Sequence, residues 1–224
     1  MTIQEAIEAR HSVRAYKQLP LADDVVKVLE EKIAEVNRIG NLHVQLILNE
    51  PKAFLGPFAK YGKFRGVGNY LVMAGQKADD LDYRVGYYGE QLVLLAQMLG
   101  LNTCWAGLSY TKVPGTYALG NDEKIACYIA LGYGETQGVT HKIKTIGQVS
   151  NVSDSTPQWF RKGVEAALLA PTAVNQQKFS FEYVGENKVL AHKGFSLIGY
   201  TQMDLGIAKY HFEIGAGKDN FMWV

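Results

Sequence analysis

The stretch LLAPTAVNQQKF, residues 168–179, places polar but uncharged side chains directly after an apolar run and a proline. Thr172, Asn175, Gln176 and Gln177 stand where loops more often carry Asp, Glu, Lys or Ser. A carboxamide donates and accepts hydrogen bonds at once, so this set can meet a ligand edge of neutral donors and acceptors without burying a net charge. The alternative is a turn after a helix, in which Asn and Gln satisfy loose backbone carbonyls.

Other chemical motifs fail on spacing. No catalytic triad is apparent, and no metal-ligand spacing appears among the five histidines. GVGNYL (66–71) lacks the third glycine and the preceding strand of a dinucleotide-binding fingerprint, and GAGKDN (215–220) lacks the Walker spacing with its Ser or Thr. Cys104 and Cys127 are the only cysteines and form no CxxC, which argues against a disulfide framework and favours a reduced, cytoplasmic setting.

The bulk composition is that of a globular protein in water. The 224 residues are 47% hydrophobic and 20% charged, with a net charge of +1. Without a basic footprint, nucleic acid and anionic membrane surfaces are not expected as partners. No apolar run approaches the roughly 18 residues of a membrane span, and the partly acidic N-terminus MTIQEAIEAR differs from a secretory signal.

Apolar periodicity predicts a mixture of helices and strands. Thr2 and Glu5 form a capping box that begins a short helix ending near Arg10. The Pro- and Gly-punctuated segment 51–68 predicts a long functional loop. In chain order, the other predicted elements are a helix from about 25 that stops at Gly40, strands at 43–48, 70–75 and 124–134, a short apolar segment at 103–108, a helix opened by Pro157 that stops before Pro171, a hairpin of 179–184 and 188–193, and a helix at 199–215.

The segment DLDYRVGYYGEQLVLLAQMLG (80–100) predicts a central, buried helix because its apolar residues run nearly all the way round. Gly86 and Gly89 lie inside it, each at a cost of roughly 1 kcal/mol relative to Ala. That cost indicates that something approaches the helix backbone closely. Gly100 is the expected C-terminal cap.

The two halves of the chain echo each other in the order of their elements. Each begins with a helix that leads into an unusual loop, and strands and a helix with small residues in its early turns follow. Residues 82–105 align loosely with 204–223, and the small polar stretch 151–156 is a plausible linker. Because Asp and Gly at helix ends recur by chance, the pattern alone leaves a duplication open.

Four motifs resemble the nitroreductase-like flavoproteins. RHSVRAY (10–16) resembles their opening signature, and GEQLVLLAQMLGL (89–101), followed by TCW, resembles their central helix. APTAVNQQKFSF (170–181) is similar to their Ala-Pro-Ser-x-x-Asn-x-Gln-Pro-Trp segment, and ALGYG (130–134) to their closing strand. The resemblance covers nearly the whole chain. It implies an α+β, nitroreductase-like fold with a central, mostly antiparallel sheet flanked by helices.

The order of the motifs departs from that of ordinary members. There, the Pro-Ser-x-x-Asn segment precedes the central helix, and each flavin site combines motifs from the two subunits of a homodimer. The resemblance therefore implies two fused half-repeats forming a pseudo-dimer, as in tandem, single-chain nitroreductases. Residues 1–150 would carry the FMN phosphate site and residues 151–224 the loop facing the flavin ring, so that one chain makes one complete site.

The resemblance also assigns cofactor-binding residues. Arg10, Ser12 and Arg14 offer guanidinium forks and a hydroxyl to the phosphate dianion, with charge-assisted bonds worth roughly 1.5–3 kcal/mol each. The basic residues after the closing strand match the family's phosphate clamp, although solvated surface charges are the alternative for them. The predicted set is Arg10, His11, Ser12, Arg14, Ala106, Gly107, Leu108, His141, Lys142, Lys144, Pro171, Thr172, Ala173, Asn175, Gln176 and Gln177.

The flavin ring would be met by neutral groups. Its pyrimidine edge would be contacted by Thr172, Asn175 and either Gln176 or Gln177. The sequence leaves open which of the two glutamines makes this contact. Gly107 is the predicted catalytic position, because a backbone N–H there would stabilise charge developing at the flavin N5. Aromatic residues that either wall the substrate pocket or simply pack in the core are Phe64, Tyr87, Tyr88 and Trp105.

The implied function is that of an FMN-dependent oxidoreductase. Hydride would pass from NAD(P)H through FMN to a nitro compound, a quinone or a similar electron-poor small molecule, by a monomer or a homodimer. The alternative is a non-catalytic protein that stores or senses flavin, which a lid formed by residues 51–68 would favour. No motif supports an enzyme that consumes flavin itself.

Overall fold

Seven α-helices and seven β-strands follow one another along the chain in a computed structural model that describes all 224 residues. This confirms the predicted α+β class. The helices are α1 (Ile3–Ala9), α2 (Asp23–Gly40), α3 (Pro57–Tyr61), α4 (Leu81–Met98), α5 (Ile146–Val149), α6 (Gln158–Leu168) and α7 (Thr201–Ala216). The strands are β1 (Gln45–Ile47), β2 (Asn69–Gln76), β3 (Asn102–Ala106), β4 (Glu123–Gly132), β5 (Phe179–Tyr183), β6 (Lys188–Lys193) and β7 (Met222–Trp223).

The chain divides into two compact units. The first unit comprises Met1–Glu8, Asp82–Gln91 and His141–Val224, and the second comprises Ala9–Leu81 and Leu92–Thr140. The predicted division into residues 1–150 and 151–224 stays a prediction, and the small polar stretch 151–156 lies inside the first unit. The fusion of two half-repeats into a pseudo-dimer stays a prediction. None of the helices combines the length and apolar character that a membrane crossing requires.

The second unit is built on a four-stranded antiparallel sheet in the order β1-β2-β4-β3. Strand β2 is buried along its whole length except for its last residue, which explains its nearly continuous apolar sequence. Aromatic rings fill the core on this sheet. Tyr70 and Tyr128 stack with centroids 5.0 Å apart, and Phe54 packs 4.9 Å from Phe64.

The first unit contains the three-stranded sheet β5-β6-β7. The predicted hairpin of β5 and β6 is confirmed, and it turns through Gly185, Glu186 and Asn187, whose φ angles of 89°, 50° and 57° are left-handed. Helices α6 and α7 lie close together because Gly163 leaves room for the ring of Phe212, which a Cβ there would approach to 2.8 Å.

The close approach predicted at the early glycines of α4 is confirmed at Gly86, where the first unit brings α4 against α7. A Cβ added to Gly86 would lie 2.1 Å from the Met203 carbonyl oxygen, and one added to Gly206 would lie 2.2 Å from that of Tyr83. Two helix backbones therefore touch at this crossing. Any side chain larger than hydrogen is excluded from both positions.

Two further predictions, the capping box of α1 and the loop at 51–68, have different outcomes in the structure. The capping box of α1 is confirmed, since Thr2 N donates to Glu5 Oε2 (2.7 Å) and Glu5 N donates to Thr2 Oγ1 (3.3 Å). The loop predicted at 51–68 is wrong in part, because it contains a 3₁₀ turn at Lys52–Phe54 and the helix α3. The Glu50 carboxylate stabilises that turn by accepting hydrogen bonds from Lys52 N at 2.9 Å and Ala53 N at 3.1 Å.

Candidate functional site

The predicted phosphate-binding residues of the RHSVR segment gather around one buried thiol in the second unit. Ser12 pairs with Thr103 in a short parallel bridge, so the segment runs alongside β3. Burial raises the pKa of the Cys104 thiol, while the charge of Arg14, a hydrogen bond with Ser12 and the charge of Arg10 oppose that rise. The structure therefore brings two guanidinium groups and a hydroxyl together beside one strand.

Exposure varies along this cluster. Arg10 is buried, with 3% of its surface exposed, whereas Arg14 is exposed and Ser12 is intermediate. His11 packs beside Gly138, whose added Cβ would lie 2.7 Å from the His11 Cβ. Guanidinium groups and a hydroxyl are hydrogen-bond donors of the kind that bind phosphate groups.

The predicted hydride-site segment begins where β3 ends. Ala106 is the last residue of that strand and is buried, Gly107 is intermediate, and Leu108 is 75% exposed. Ser12 pairs with Thr103 on the same strand, so the cationic cluster lies along β3 and Gly107 follows the end of β3.

The carboxamide of Gln177 is fully occupied inside the first unit. Its Oε1 accepts a hydrogen bond from Lys144 N (2.9 Å), and its Nε2 donates to Lys142 O (2.8 Å) and Asn175 Oδ1 (2.9 Å). Asn175 Nδ2 donates to the same Lys142 carbonyl at 2.8 Å. These bonds join the 170–177 loop to the basic stretch 141–144. They agree with the alternative in which Asn and Gln side chains satisfy backbone carbonyls of a turn.

Gln176 is placed differently from its neighbour. Its Nε2 donates to Asp204 Oδ2 (2.7 Å) and to Gly199 O (3.0 Å), while its Oε1 is buried with no hydrogen-bond partner. Thr172 Oγ1 accepts a hydrogen bond from Gln177 N at 3.0 Å. Of the two glutamines, Gln176 therefore keeps a buried side-chain acceptor without a partner in the protein.

The predicted basic residues of the first unit contact the loop or the end of α6. His141 Nε2 donates to Leu168 O at 3.2 Å, and Lys144 Nζ donates to Gln177 O at 2.6 Å. Burial lowers the pKa of Lys144, and the nearby charge of Lys178 adds to this. The Lys144 ammonium has three donors, so one bond to a carbonyl leaves further capacity for an anion.

The 170–177 loop carries backbone strain. Val174, Asn175 and Gln177 have φ angles of 44°, 57° and 45°, and a β-branched residue in this region is an outlier. Asp204 on α7 accepts a hydrogen bond from Ala173 N at 2.8 Å as well as the bond from Gln176. Sequence reasoning missed Asp204, because an aspartate in the first turn of a helix is ordinary.

Among the aromatic residues predicted as pocket walls or core, Phe64 packs in the core and Tyr87 makes a hydrogen bond to a carboxylate. Phe64 is buried in the core of the second unit against Phe54. In the first unit, the Tyr87 hydroxyl donates to Glu213 Oε2 at 2.6 Å. For Phe64, the core interpretation is the one that the structure bears out.

The mixed α+β fold with its four-stranded antiparallel sheet is that of nitroreductase-like proteins. Over residues 2–216 the sequence matches the family model described as "Putative TM nitroreductase". The chain therefore belongs to this family, and membership indicates an oxidoreductase.

Solved structures agree with this assignment. A protein described as a "putative nitroreductase" from Thermotoga maritima is 25% identical, with a TM-score of 0.71 over 98% of this chain and 85% of that one. A "putative nitroreductase in complex with FMN" from Desulfovibrio desulfuricans is 17% identical, with a TM-score of 0.53 over 70% of this chain and 99% of that one. The second likeness shows the fold alone. A search of curated proteins finds no match to this chain.

Proposed function

We propose that this protein is an FMN-dependent oxidoreductase that uses NAD(P)H to reduce a nitro compound, a quinone or a similar electron-poor small molecule. The gathering of Arg10, Ser12 and Arg14 beside β3 is the observation that carries the proposal. The family resemblance predicts these groups as a phosphate site, and the influence of all three on the Cys104 thiol supports that prediction. The nicotinamide donor and the acceptor class follow from the family resemblance.

The residues present fit the chemistry of FMN. A phosphate dianion needs cationic and hydroxyl donors, and charge-assisted hydrogen bonds from guanidinium groups are the strong ones. The flavin ring edge carries an N–H donor and carbonyl acceptors, and Gln176 Oε1 is a buried acceptor without a protein partner. A neutral acceptor suits this edge because it brings no net charge into a buried place.

Each predicted residue has a distinct task in this proposal. Arg10, Ser12 and Arg14 hold the phosphate, and Gln176 accepts a hydrogen bond from the ring N–H. The Gly107 backbone N–H would be the donor that stabilises negative charge on bound flavin, as donors aimed at such charge do in other sites. Bound FMN itself supplies the hydride chemistry, so the protein needs few acid or base groups.

The predicted division of labour, with the phosphate site in residues 1–150 and the ring loop in 151–224, is part of the proposal. So is a cytoplasmic setting, which rests on two free, buried cysteines. A monomer or a homodimer would serve, with a small-molecule electron acceptor as partner.

The first experiment is a titration of the purified protein with FMN, followed anaerobically by NADPH and then NADH, with the visible flavin spectrum recorded. We expect bound flavin that bleaches promptly and is reoxidised by a nitroarene or a quinone. Arg14→Gln is expected to weaken FMN binding by roughly 10- to 100-fold, the value of one charge-assisted hydrogen bond. Lys17→Gln, three residues away and also exposed, is the matched control and should bind as the wild type does.

Two results would change the conclusion. Flavin that binds but stays oxidised with both nicotinamides would leave the non-catalytic flavin-binding alternative. A protein that binds no FMN, or an Arg14→Gln variant that binds as tightly as Lys17→Gln, would refute the phosphate site.

A further inference from the structure

Asp204 is a buried carboxylate that is hydrogen-bonded to the 170–177 loop. Only 2% of the residue is exposed, and its two oxygens accept hydrogen bonds from Ala173 N (2.8 Å) and Gln176 Nε2 (2.7 Å). Burial raises the pKa of Asp204 to about 6, and the same two hydrogen bonds act against that rise. The fold thus keeps an acid where ionisation is costly.

Charged groups near the loop do not offset that cost. Lys144 reaches the loop at the Gln177 carbonyl, and Lys142 contributes its backbone carbonyl to Gln177 and Asn175. Burial is the largest influence on the pKa of Asp204, and the hydrogen bonds from the Ala173 amide and the Gln176 side chain act against it. The loop is therefore what the carboxylate interacts with.

The two bonds to Asp204 bracket two of the three left-handed residues of the loop. Val174 and Asn175, with φ angles of 44° and 57°, lie between the two residues that Asp204 holds. Strained backbone of this kind persists only where its surroundings over-determine it, and it clusters at ligand sites. A carboxylate that fixes both ends of the strained turn supplies such a constraint.

The orientation of Gln176 depends on the same carboxylate. Its two amide hydrogens face Asp204 Oδ2 and Gly199 O, both of which are acceptors, so the amide cannot turn over without losing both bonds. With the nitrogen fixed in this way, Oε1 is the atom left without a partner.

We propose that Asp204 is a positioning residue that holds the 172–177 loop in its strained conformation and fixes Gln176 with its carbonyl oxygen presented to the flavin N–H. This rests on the proposed function for its ligand, although the ordering of the loop belongs to the free protein. Ionised Asp204 is the competent form, since a protonated carboxyl group is the weaker acceptor.

The test compares Asp204→Asn with the wild type and with Asp154→Asn, an exposed acid of the same unit. Three quantities are measured: amide hydrogen exchange of residues 172–177 without FMN, the melting temperature at pH 8, and the FMN dissociation constant. For Asp204→Asn we expect faster exchange in the loop and FMN binding weaker by roughly 10-fold or more, the loss of one hydrogen bond to a charged group. The melting temperature should rise, because a buried charge has been removed.

A role confined to stability would lower the melting temperature and the affinity together, and that outcome would overturn the proposal. So would unchanged exchange in the loop, or unchanged FMN binding by Asp204→Asn. Asp154→Asn should leave all three quantities unchanged. If the wild type binds no FMN, the proposed function fails and so does the ligand role of Gln176, whereas loop exchange still decides whether Asp204 orders the loop.

A pH profile provides a further readout. Affinity of the wild type should fall as the pH drops through about 6, where Asp204 becomes protonated. The FMN phosphate also titrates near pH 6, so the informative quantity is the difference between wild type and Asp204→Asn. Identical profiles for the two proteins would contradict the role assigned to the Asp204 charge.

Discussion

Replacement of Gly206 by Ala tests the contact between α4 and α7 in the first unit. The new Cβ would lie 2.2 Å from the Tyr83 carbonyl oxygen and 2.7 Å from the Tyr87 nitrogen. Both obstacles are backbone atoms of a helix, which cannot rotate away as a flexible side chain can. The two helices must therefore separate by about 1 Å to restore ordinary van der Waals contact.

The expected loss of stability follows from two opposing effects. Overpacking of this kind costs typically about 1–3 kcal/mol, and rigid obstacles favour the upper end of that range. Alanine returns about 1 kcal/mol through its better helix propensity. We expect a net destabilisation of about 2 kcal/mol, which corresponds to a fall in melting temperature of about 4–8 °C.

Chemical denaturation followed by far-UV circular dichroism and by tryptophan fluorescence provides the measurement, since Trp159 and Trp223 belong to the first unit. Gly147→Ala is the matched control, because Gly147 is helical and a Cβ there meets nothing within 4 Å. This control should be neutral or gain up to about 1 kcal/mol. A Gly206→Ala variant as stable as Gly147→Ala would refute the close helix crossing.

Three further predictions follow from buried polar groups. The pKa of Asp204 is about 6 in the folded protein, above its ordinary value of 3.8. Asp204 therefore contributes on the order of 3 kcal/mol to stability below pH 3.8, and this contribution is lost as the pH rises through 6. The Asp204→Asn variant should show a flatter dependence of the unfolding free energy on pH between pH 4 and 7. Glu90 and His211 are fully buried with Oε1 and Nε2 2.9 Å apart, so His211→Ala should cost about 3–5 kcal/mol in urea unfolding. Glu90→Gln should cost less, because its amide can donate to Nε2. Tyr70→Phe, which removes a 2.9 Å bond from the hydroxyl to Glu50, should cost about 1 kcal/mol in the same assay.

Each of these expectations has a contrary result. Stability that rises between pH 4 and 7 in the wild type, with no change on Asp204→Asn, would mean that the carboxylate is not buried as described. Equal losses for Glu90→Gln and His211→Ala would mean that the glutamine amide does not replace the contact between Glu90 and His211. A Tyr70→Phe variant that is as stable as the wild type would show that the bond to Glu50 contributes nothing net.

Elements that depend on neighbours in the sequence could be predicted. The capping box of Thr2 and Glu5, the hairpin through Gly185 and the length of α4 each rest on spacing within a few turns, and each appears in the structure. Glycine inside α4 predicted a close contact because glycine is costly in a helix interior unless space demands it. The partner of that contact, α7, could not be predicted, since it lies more than 100 residues further along the chain.

The shortest elements escaped prediction for a related reason. Helix α5 has four residues and strand β7 has two, so neither is long enough to show a period. Helix α3 lies in a segment whose prolines and glycines predict a loop. Its helical turn depends on Pro57 at the first position, and the preceding 3₁₀ turn depends on the carboxylate of Glu50.

Residue types alone give two arginines and a serine within five positions, 10–14, and a neutral, carboxamide-rich stretch at 172–177, because residue type sets which hydrogen bonds are possible. Tertiary structure decided which atoms remain available. The Gln177 carboxamide is hydrogen-bonded to Lys142, Lys144 and Asn175, whereas Gln176 keeps one buried oxygen without a partner because Asp204 holds its nitrogen. Such a choice between adjacent, chemically identical side chains depends on distances of a few tenths of an ångström between groups far apart in the chain, which local sequence does not encode.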